Sequence, residues 1–317
     1  MKILAIRYSG LGDLVMLLPA LSLLKSHHRD AHITLLTDRS NQAFADIACG
    51  LVDEIIPFDR RRMKRGIFPA LAEIASLIRK LRSASYDQVI DFHNFGETAT
   101  ISYLAKSPVK RGAPKRPKYH YGYTERISRL EDDHRSQFFC RIAGVDDTWR
   151  VPALCLSEAG RLYADQLQNQ SDEARPVLGL NIGSTQENRR WSHHYFAELA
   201  ERLNKQYRVL VFIGPSETAY ADVFLGVCET VSGVSIPQLC GAIACCDYFI
   251  SNDTGPVHLA GALGVSTLTL FSTGEDWQVG ALAEHKRWIR KPVINDISVD
   301  EVIDKLAELA VGAEAGV

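Results

Sequence analysis

Ser251-Asn252-Asp253-Thr254-Gly255-Pro256-Val257-His258 lies between a short apolar run, Asp247 to Ser251, and the small apolar stretch Leu259-Ala260-Gly261-Ala262-Leu263. The first reads as a buried strand and the second as a helix, so the chain must turn sharply from one into the other. Gly255 permits unusual backbone angles, Pro256 suits the first helical position, and Asp253 or Thr254 can cap the exposed N–H groups. Such a turn presents N–H groups and the positive end of a helix dipole, which hold phosphate or carboxylate without a basic side chain. His258, in the first turn, can add a donor. A capped helix with a surface histidine is the plainer alternative, and a second matching feature has to decide between them.

That feature is N-terminal. Lys2 to Arg7 reads as a buried strand running through Tyr8 and Ser9 into Gly10-Leu11-Gly12-Asp13, with the helix-like Leu14 to Leu24 behind it. Here an acid stands at the mouth of the turn. Asp13 can cap its helix, or serve as a general base. Gly10 and Gly12 also invite a dinucleotide reading with Asp38 as the ribose acid, although Val15 stands where the third glycine belongs.

Strand and helix patterns alternate along the whole chain. In the first half, strands near 2–7, 32–37, 53–57 and 87–92 alternate with helices near 13–26, 40–48, 66–83 and 97–105, followed by a helical stretch from Ile127 to Ala143 ending at Gly144. In the second half, strands near 177–182, 209–213, 248–251 and 267–271 alternate with helices near 193–206, 217–227, 237–245 and 256–263. Ser298-Val299-Asp300-Glu301 is a capping box for a last helix. A polar segment of about 145–176, with a helix-like Glu158 to Leu167, separates the halves. The expected fold is α/β, with two Rossmann-like doubly wound domains, 1–155 and 156–317, facing a central cleft.

A chain of 317 residues, 46% hydrophobic and 23% charged, suffices for two cores. It shows no eighteen-residue apolar run and no signal-peptide layout, so a cytoplasmic protein is expected. Its seven cysteines contain no CxxC pair and read as reduced thiols rather than zinc ligands or disulfides. The net charge of -2 divides unevenly: residues 1–150 carry 24 Lys plus Arg against 17 Asp plus Glu, whereas residues 151–317 carry 12 against 21. Basic runs at Arg60 to Arg65 and Lys106 to Lys118 read either as solvated loops or as a surface for an anionic partner. A pI near 6.6 and the lack of a nucleic-acid motif argue against nucleic acid.

A third constellation follows the first strand of the second half: Asn181-Ile182-Gly183-Ser184-Thr185-Gln186-Glu187-Asn188-Arg189-Arg190-Trp191-Ser192. Gly183, Ser184 and Thr185 offer backbone and hydroxyl donors, and Arg189 or Arg190 a permanent charge suited to phosphate. Beside the Asp253 turn it reads as half of a diphosphate clamp.

Together, the Ser9-Gly10-Leu11-Gly12-Asp13-Leu14 element, Gly183-Ser184-Thr185 with Arg189-Arg190-Trp191-Ser192, and Ser251 to Ala260 resemble glycosyltransferase family 9, the bacterial ADP-heptose:lipopolysaccharide heptosyltransferases. The resemblance implies a GT-B fold, with the acceptor on the N-terminal domain and the nucleotide sugar on the C-terminal one. It implies inverting transfer of a heptose or related sugar from an ADP-sugar to the lipopolysaccharide inner core, without a metal or further cofactor. Asp13 would be the general base. Gly183, Ser184, Thr185, Arg189, Arg190, Gln238, Asp253, Thr254, Gly255 and His258 would face the donor, and Ser9, Gly10, Gly12, His93 and Asn94 the acceptor side. The basic runs would suit an anionic acceptor, and Arg60 to Arg65 a peripheral contact with the cytoplasmic face of the inner membrane. The chain departs from the family at Asp91 to Gly96 and at Ser272 to Trp277, which bears on the acceptor and on the donor sugar. Arginine at 189, where the family usually has lysine, keeps charge but changes geometry.

Overall fold

The computed structural model describes residues 1–8, 10–59, 62, 65–145, 153–170, 174–272 and 276–314. The chain divides into two compact units, Met1–Pro152 and Ala153–Val317. Ser9 and most of the run 60–64 lie outside the described residues, as do 273–275 of the divergent second-half loop.

The first unit contains a parallel sheet of β1 (Lys2–Ile6), β2 (His32–Asp38), β3 (Glu54–Phe58), β4 (Gln88–Asp91), β5 (Val109–Gly112) and β6 (Glu125–Arg126), ordered β3-β2-β1-β4-β5-β6. The second has β7 (Val177–Asn181), β8 (Arg208–Ile213), β9 (Glu229–Ser232), β10 (Tyr248–Asn252), β11 (Ser266–Phe271) and β12 (Lys286–Arg290), ordered β12-β11-β10-β7-β8-β9. Both are the same doubly wound order. The apolar runs become central strands because both sheet faces are covered: Leu4, Ile6 and Leu36 pack with Leu77 and Leu81 of the Ile67–Ser83 helix, and Leu178, Leu180, Val211 and Ile250 with Trp191, Phe196 and Leu199.

This order decides where ligands go. In the first unit β1 and β4 are neighbours, with Ile6 opposite Asp91; in the second, β7 and β10 are neighbours, with Asn181 opposite Ser251. At such pairs the strand order reverses, and the loops leaving their carboxyl ends part to make a crevice. The Gly10 and His93 loops leave one pair, and the Gly183 and Asp253 loops the other.

Several expectations are corrected. The helix expected from Ile127 spans only Arg135–Ala143. Asp133 is buried and accepts from the Leu130 N–H at 3.0 Å and from Arg141 at 2.6 and 2.8 Å, which closes a turn ahead of the helix. Part of the basic run 106–118 is strand β5, whose Arg111 pairs with Glu125 on β6 at 2.9 Å. β5, β6 and β12 are rich in charge, and β9 has Val231 as its single apolar residue, so none shows an apolar run. The segments Arg39–Asp46 and Thr218–Phe224 are 3₁₀ rather than α-helical. Cys140, Cys228, Cys240, Cys245 and Cys246 remain thiols, but Cys49 and Cys155 are disulfide-bonded.

Glu158–Asn169 is helical and lies backbone to backbone on the Ile236–Ala244 helix. A Cβ on Gly241 would come within 2.1 Å of the Gly160 carbonyl oxygen, and one on Gly160 within 2.8 Å of that of Pro237.

Candidate active site

In the first unit Gly10 precedes the Leu11–His27 helix with φ of 88°, a conformation open mainly to glycine. A Cβ there would also come 2.5 Å from Asp13 Oδ2. Asp13 does not cap the helix. Its carboxylate instead lies between two guanidiniums: Arg7 Nη2 donates to Oδ2, and Arg135 Nη1 donates to Oδ1 at 2.5 Å. Arg7 Nη1 also donates to the Phe92 carbonyl at 2.9 Å, joining the loops after β1 and β4. Burial alone would raise the Asp13 pKa, but the charges of Arg7 and Arg135 outweigh it and hold the carboxyl below its usual range. Gly12, buried, precedes Asp13 in the first turn.

The loop after β4 is built on Asp91. Fully buried, Asp91 accepts from the Tyr123 hydroxyl at 2.6 Å and from the His93 and Asn94 N–H groups at 2.8 and 3.0 Å. Burial pushes its pKa up, against the effect of these bonds. Asn94 adopts φ of 64° and its Oδ1 accepts from the Ala113 N–H at 2.5 Å, so it shapes the turn. His93 packs between the rings of Tyr8 and Phe95. It lines a cavity of about 850 Å³ with Arg7, Phe95, Thr100, Tyr119 and Tyr121. The base candidate and the cavity thus share Arg7.

In the second unit, Gly255–Ala262 is a helix with Thr254 at its N-cap. The expected side-chain cap is not made. Thr254 Oγ1 is instead a partner of Asn181 Nδ2 at 3.0 Å and donates to the Asn252 carbonyl at 3.3 Å, bracing the turn from β7. Gly255 is the first helical residue and is not among the positive-φ positions, because Thr254, at φ of −146°, makes the turn in extended backbone. Val257 N–H is bonded to the Thr254 carbonyl at 3.2 Å, and Pro256 has no N–H, so the helix dipole and the Gly255 end are what this turn can offer an anion. Asp253 faces Arg189 Nη1 at 3.7 Å and His258 Nε2 at 3.9 Å, which gathers three expected residues. His258 is buried.

The two arginines separate. Arg190 Nη2 donates to the Ser184 carbonyl at 2.6 Å and lies 3.4 Å from Glu217 Oε1, which places it as a brace of its own loop. Arg189 is the more exposed and stands by the Asp253 turn. Ser184 donates its hydroxyl to the Gln186 carbonyl at 2.9 Å, while Thr185 is exposed; Gly183 sits over Glu217. Gln238 forms a capping box with Ser235, accepting its N–H at 3.0 Å. Ser272, where the second departure begins, donates to the Asn188 carbonyl at 2.7 Å.

Three residues escaped the sequence reading. Asn252 is fully buried: its Nδ2 donates to the Ile182 and Gly183 carbonyls at 3.2 and 3.1 Å, and its Oδ1 accepts from the Trp191 N–H at 2.9 Å. It clamps both ends of the Gly183–Arg190 loop. Its position within the quoted motif was the available signal. Arg7, a charge ending an apolar strand, also had one; Arg135, distant in sequence from Asp13, had none. Asp38, the ribose acid of the dinucleotide reading, caps its own turn, accepting from the Ser40 N–H at 2.9 Å and its hydroxyl at 2.7 Å.

Two Rossmann-like units of this order, each with its loops at the strand-reversal point, define the GT-B class of fold. The model of glycosyltransferase family 9 (heptosyltransferase) matches residues 74–301, and the chain belongs to that family. It is a glycosyltransferase. It is 24% identical to a putative glycosyltransferase of Haemophilus influenzae, over 93% of this chain and 87% of that one. It is likewise 24% identical to lipopolysaccharide heptosyltransferase 2 of Escherichia coli, covering 92% and 88%. The crystallised E. coli heptosyltransferase WaaC with ADP superimposes with a TM-score of 0.81 at 20% identity, over 98% of this chain and 100% of that one.

Proposed function

We propose that the protein transfers a heptose, or a closely related sugar, from an ADP-sugar to an anionic lipopolysaccharide inner-core acceptor, by inverting displacement with Asp13 as general base. The observation that carries the base assignment is the doubly paired carboxylate of Asp13 at the carboxyl end of the first sheet. The donor and acceptor classes rest on family membership and on the named relatives.

A sugar hydroxyl is a poor nucleophile until its proton is drawn off. Arg7 and Arg135 keep Asp13 ionised, and so in the form that accepts a proton, while lowering its basicity. Proton transfer is therefore expected to accompany bond formation rather than precede it. The acceptor oxygen bonds to the anomeric carbon as the bond to the ADP oxygen on the opposite face breaks, which inverts the centre. The departing diphosphate gathers negative charge. The N-terminus of the Gly255–Ala262 helix, with Arg189 beside the same turn, would offset it, the task a metal performs in other transferases. An acceptor of this class is borne on lipid, so the reaction belongs at the cytoplasmic face of the inner membrane.

The test is a thermal-shift screen of nucleotide sugars, followed by transfer assays with and without EDTA on lipopolysaccharide cores truncated at successive sugars. ADP-heptose is expected to stabilise the protein most, with transfer unaffected by EDTA. A preference for a UDP- or GDP-sugar would overturn the donor assignment.

A further inference from the structure

The Ile67–Ser83 helix has two apolar sides, and the fold uses one. Its buried residues are Glu73, Leu77 and Leu81; the two leucines join the core of the first unit. Glu73 holds the near end of the helix to the preceding segment, accepting from the Asp59 N–H at 3.0 Å with Arg62 at 3.5 Å. The adjoining stripe points outward. Phe68 is 85% and Ile67 77% exposed, with Leu71 and Ile74 continuing the patch along the helix. Four large apolar side chains so placed are not ordinary surface scatter.

Their surroundings are strongly basic. The described residues within 59–83 include five Lys or Arg and two acids. One of those acids, Glu73, is buried, while Arg62, Arg65, Arg79, Lys80 and Arg82 are exposed. An apolar helical stripe flanked by cations fits the boundary between anionic headgroups and acyl chains, where burial and charge attraction act together. A second copy of the chain is a poor occupant: it would bring like charges together, and four side chains fall short of the roughly 1,200 Å² of a specific interface.

We propose that this face is a membrane-docking surface, which seats Ile67, Phe68, Leu71 and Ile74 in the interfacial layer of an anionic bilayer. Among the described residues no helix is long and apolar enough to cross a membrane, so the contact is peripheral. The inference deepens the reading of a lipid-borne acceptor and rests on it for its purpose, but its test needs no acceptor.

The full chain is floated with phosphatidylcholine vesicles, with and without phosphatidylglycerol. It is expected to bind the anionic vesicles, and the triple variant Ile67→Ser/Phe68→Ser/Leu71→Ser to lose at least about tenfold in partitioning. The Phe68→Trp variant is expected to shift its emission to the blue on adding those vesicles. Flotation of the triple variant equal to the parent, or no emission shift, would overturn the proposal, as would a parent dimer that the triple variant dissolves. Transfer to a delipidated soluble acceptor is expected to be the same for parent and triple variant. If neither transfers, the functional reading fails while the docking result stands.

Discussion

The side chain of Asn252, at the end of one strand, accepts the backbone N–H of Trp191, which closes the loop leaving a neighbouring strand. With its Nδ2 on two carbonyls at the start of that loop, Asn252 sets the spacing between the Gly183 and Asp253 turns. Asn252→Ala leaves a buried N–H, the buried Ile182 carbonyl and the part-buried Gly183 carbonyl without this partner. It is expected to cost about 2–4 kcal/mol of stability and to weaken ADP binding. Denaturant unfolding and calorimetric titration check both; unchanged values would show that the clamp is dispensable.

Asp13→Asn is expected to reduce turnover by about 10²–10⁴-fold with donor affinity retained. Steady-state assays beside ADP titrations measure this. Full activity in the variant would remove Asp13 from the base role.

The Asp13 pKa lies below the unfolded value in the folded protein. Stability from its ion pairs is therefore present above the unfolded pKa and lost as pH falls through the folded one. The ionisation of Asp13 should not limit kcat/KM between pH 5 and 8. Arg135→Gln removes one of the lowering charges, so the acid limb of the profile should move to higher pH. An unmoved limb would mean that Arg135 does not tune this carboxylate.

Arg189 and Arg190 should fail differently. Arg189→Ala is expected to raise the ADP dissociation constant by about tenfold with little change in melting temperature, as for the loss of one charge-assisted phosphate contact. Arg190→Ala leaves the buried Glu217 without its arginine and should cost about 2 kcal/mol of stability. Thermal melts with and without ADP separate the two, and equal behaviour would contradict the division of labour.

Gly10→Ala forces a side chain onto positive φ and against Asp13. A loss of about 1–3 kcal/mol is expected together with lowered turnover. Melting temperature and single-turnover rate give the readout, and a silent substitution would mean the turn relaxes freely.

The central strands of both sheets were legible because they are short apolar runs punctuated by glycine turns, as Lys2 to Arg7 and Asp247 to Ser251 are. β5, β6, β9 and β12 were not, because sheet pairing stabilised segments such as Val109–Gly112 whose composition reads as loop. At the site, turn chemistry pointed to Asp13 and to the Asp253 turn. It did not reveal how their side chains are held: Arg135 reaches Asp13 across 122 positions of sequence. Local rules offer Asp253 or Thr254 as the cap because they pair such a residue with its own helix, whereas Asn181 on the adjacent strand engages Thr254 instead.

The close approach of Gly160 to Gly241 bears on how the protein can be dissected. The Glu158–Asn169 helix precedes the whole second sheet in sequence yet rests against the Ile236–Ala244 helix with almost no gap between the two backbones. A C-terminal fragment begun at β7 would shed that helix and uncover a glycine-floored trough with Cys240, Cys245 and Cys246 nearby in sequence. Begun before Ser157, it would keep its own cover and be the better candidate for testing the proposed nucleotide binding apart from the first unit.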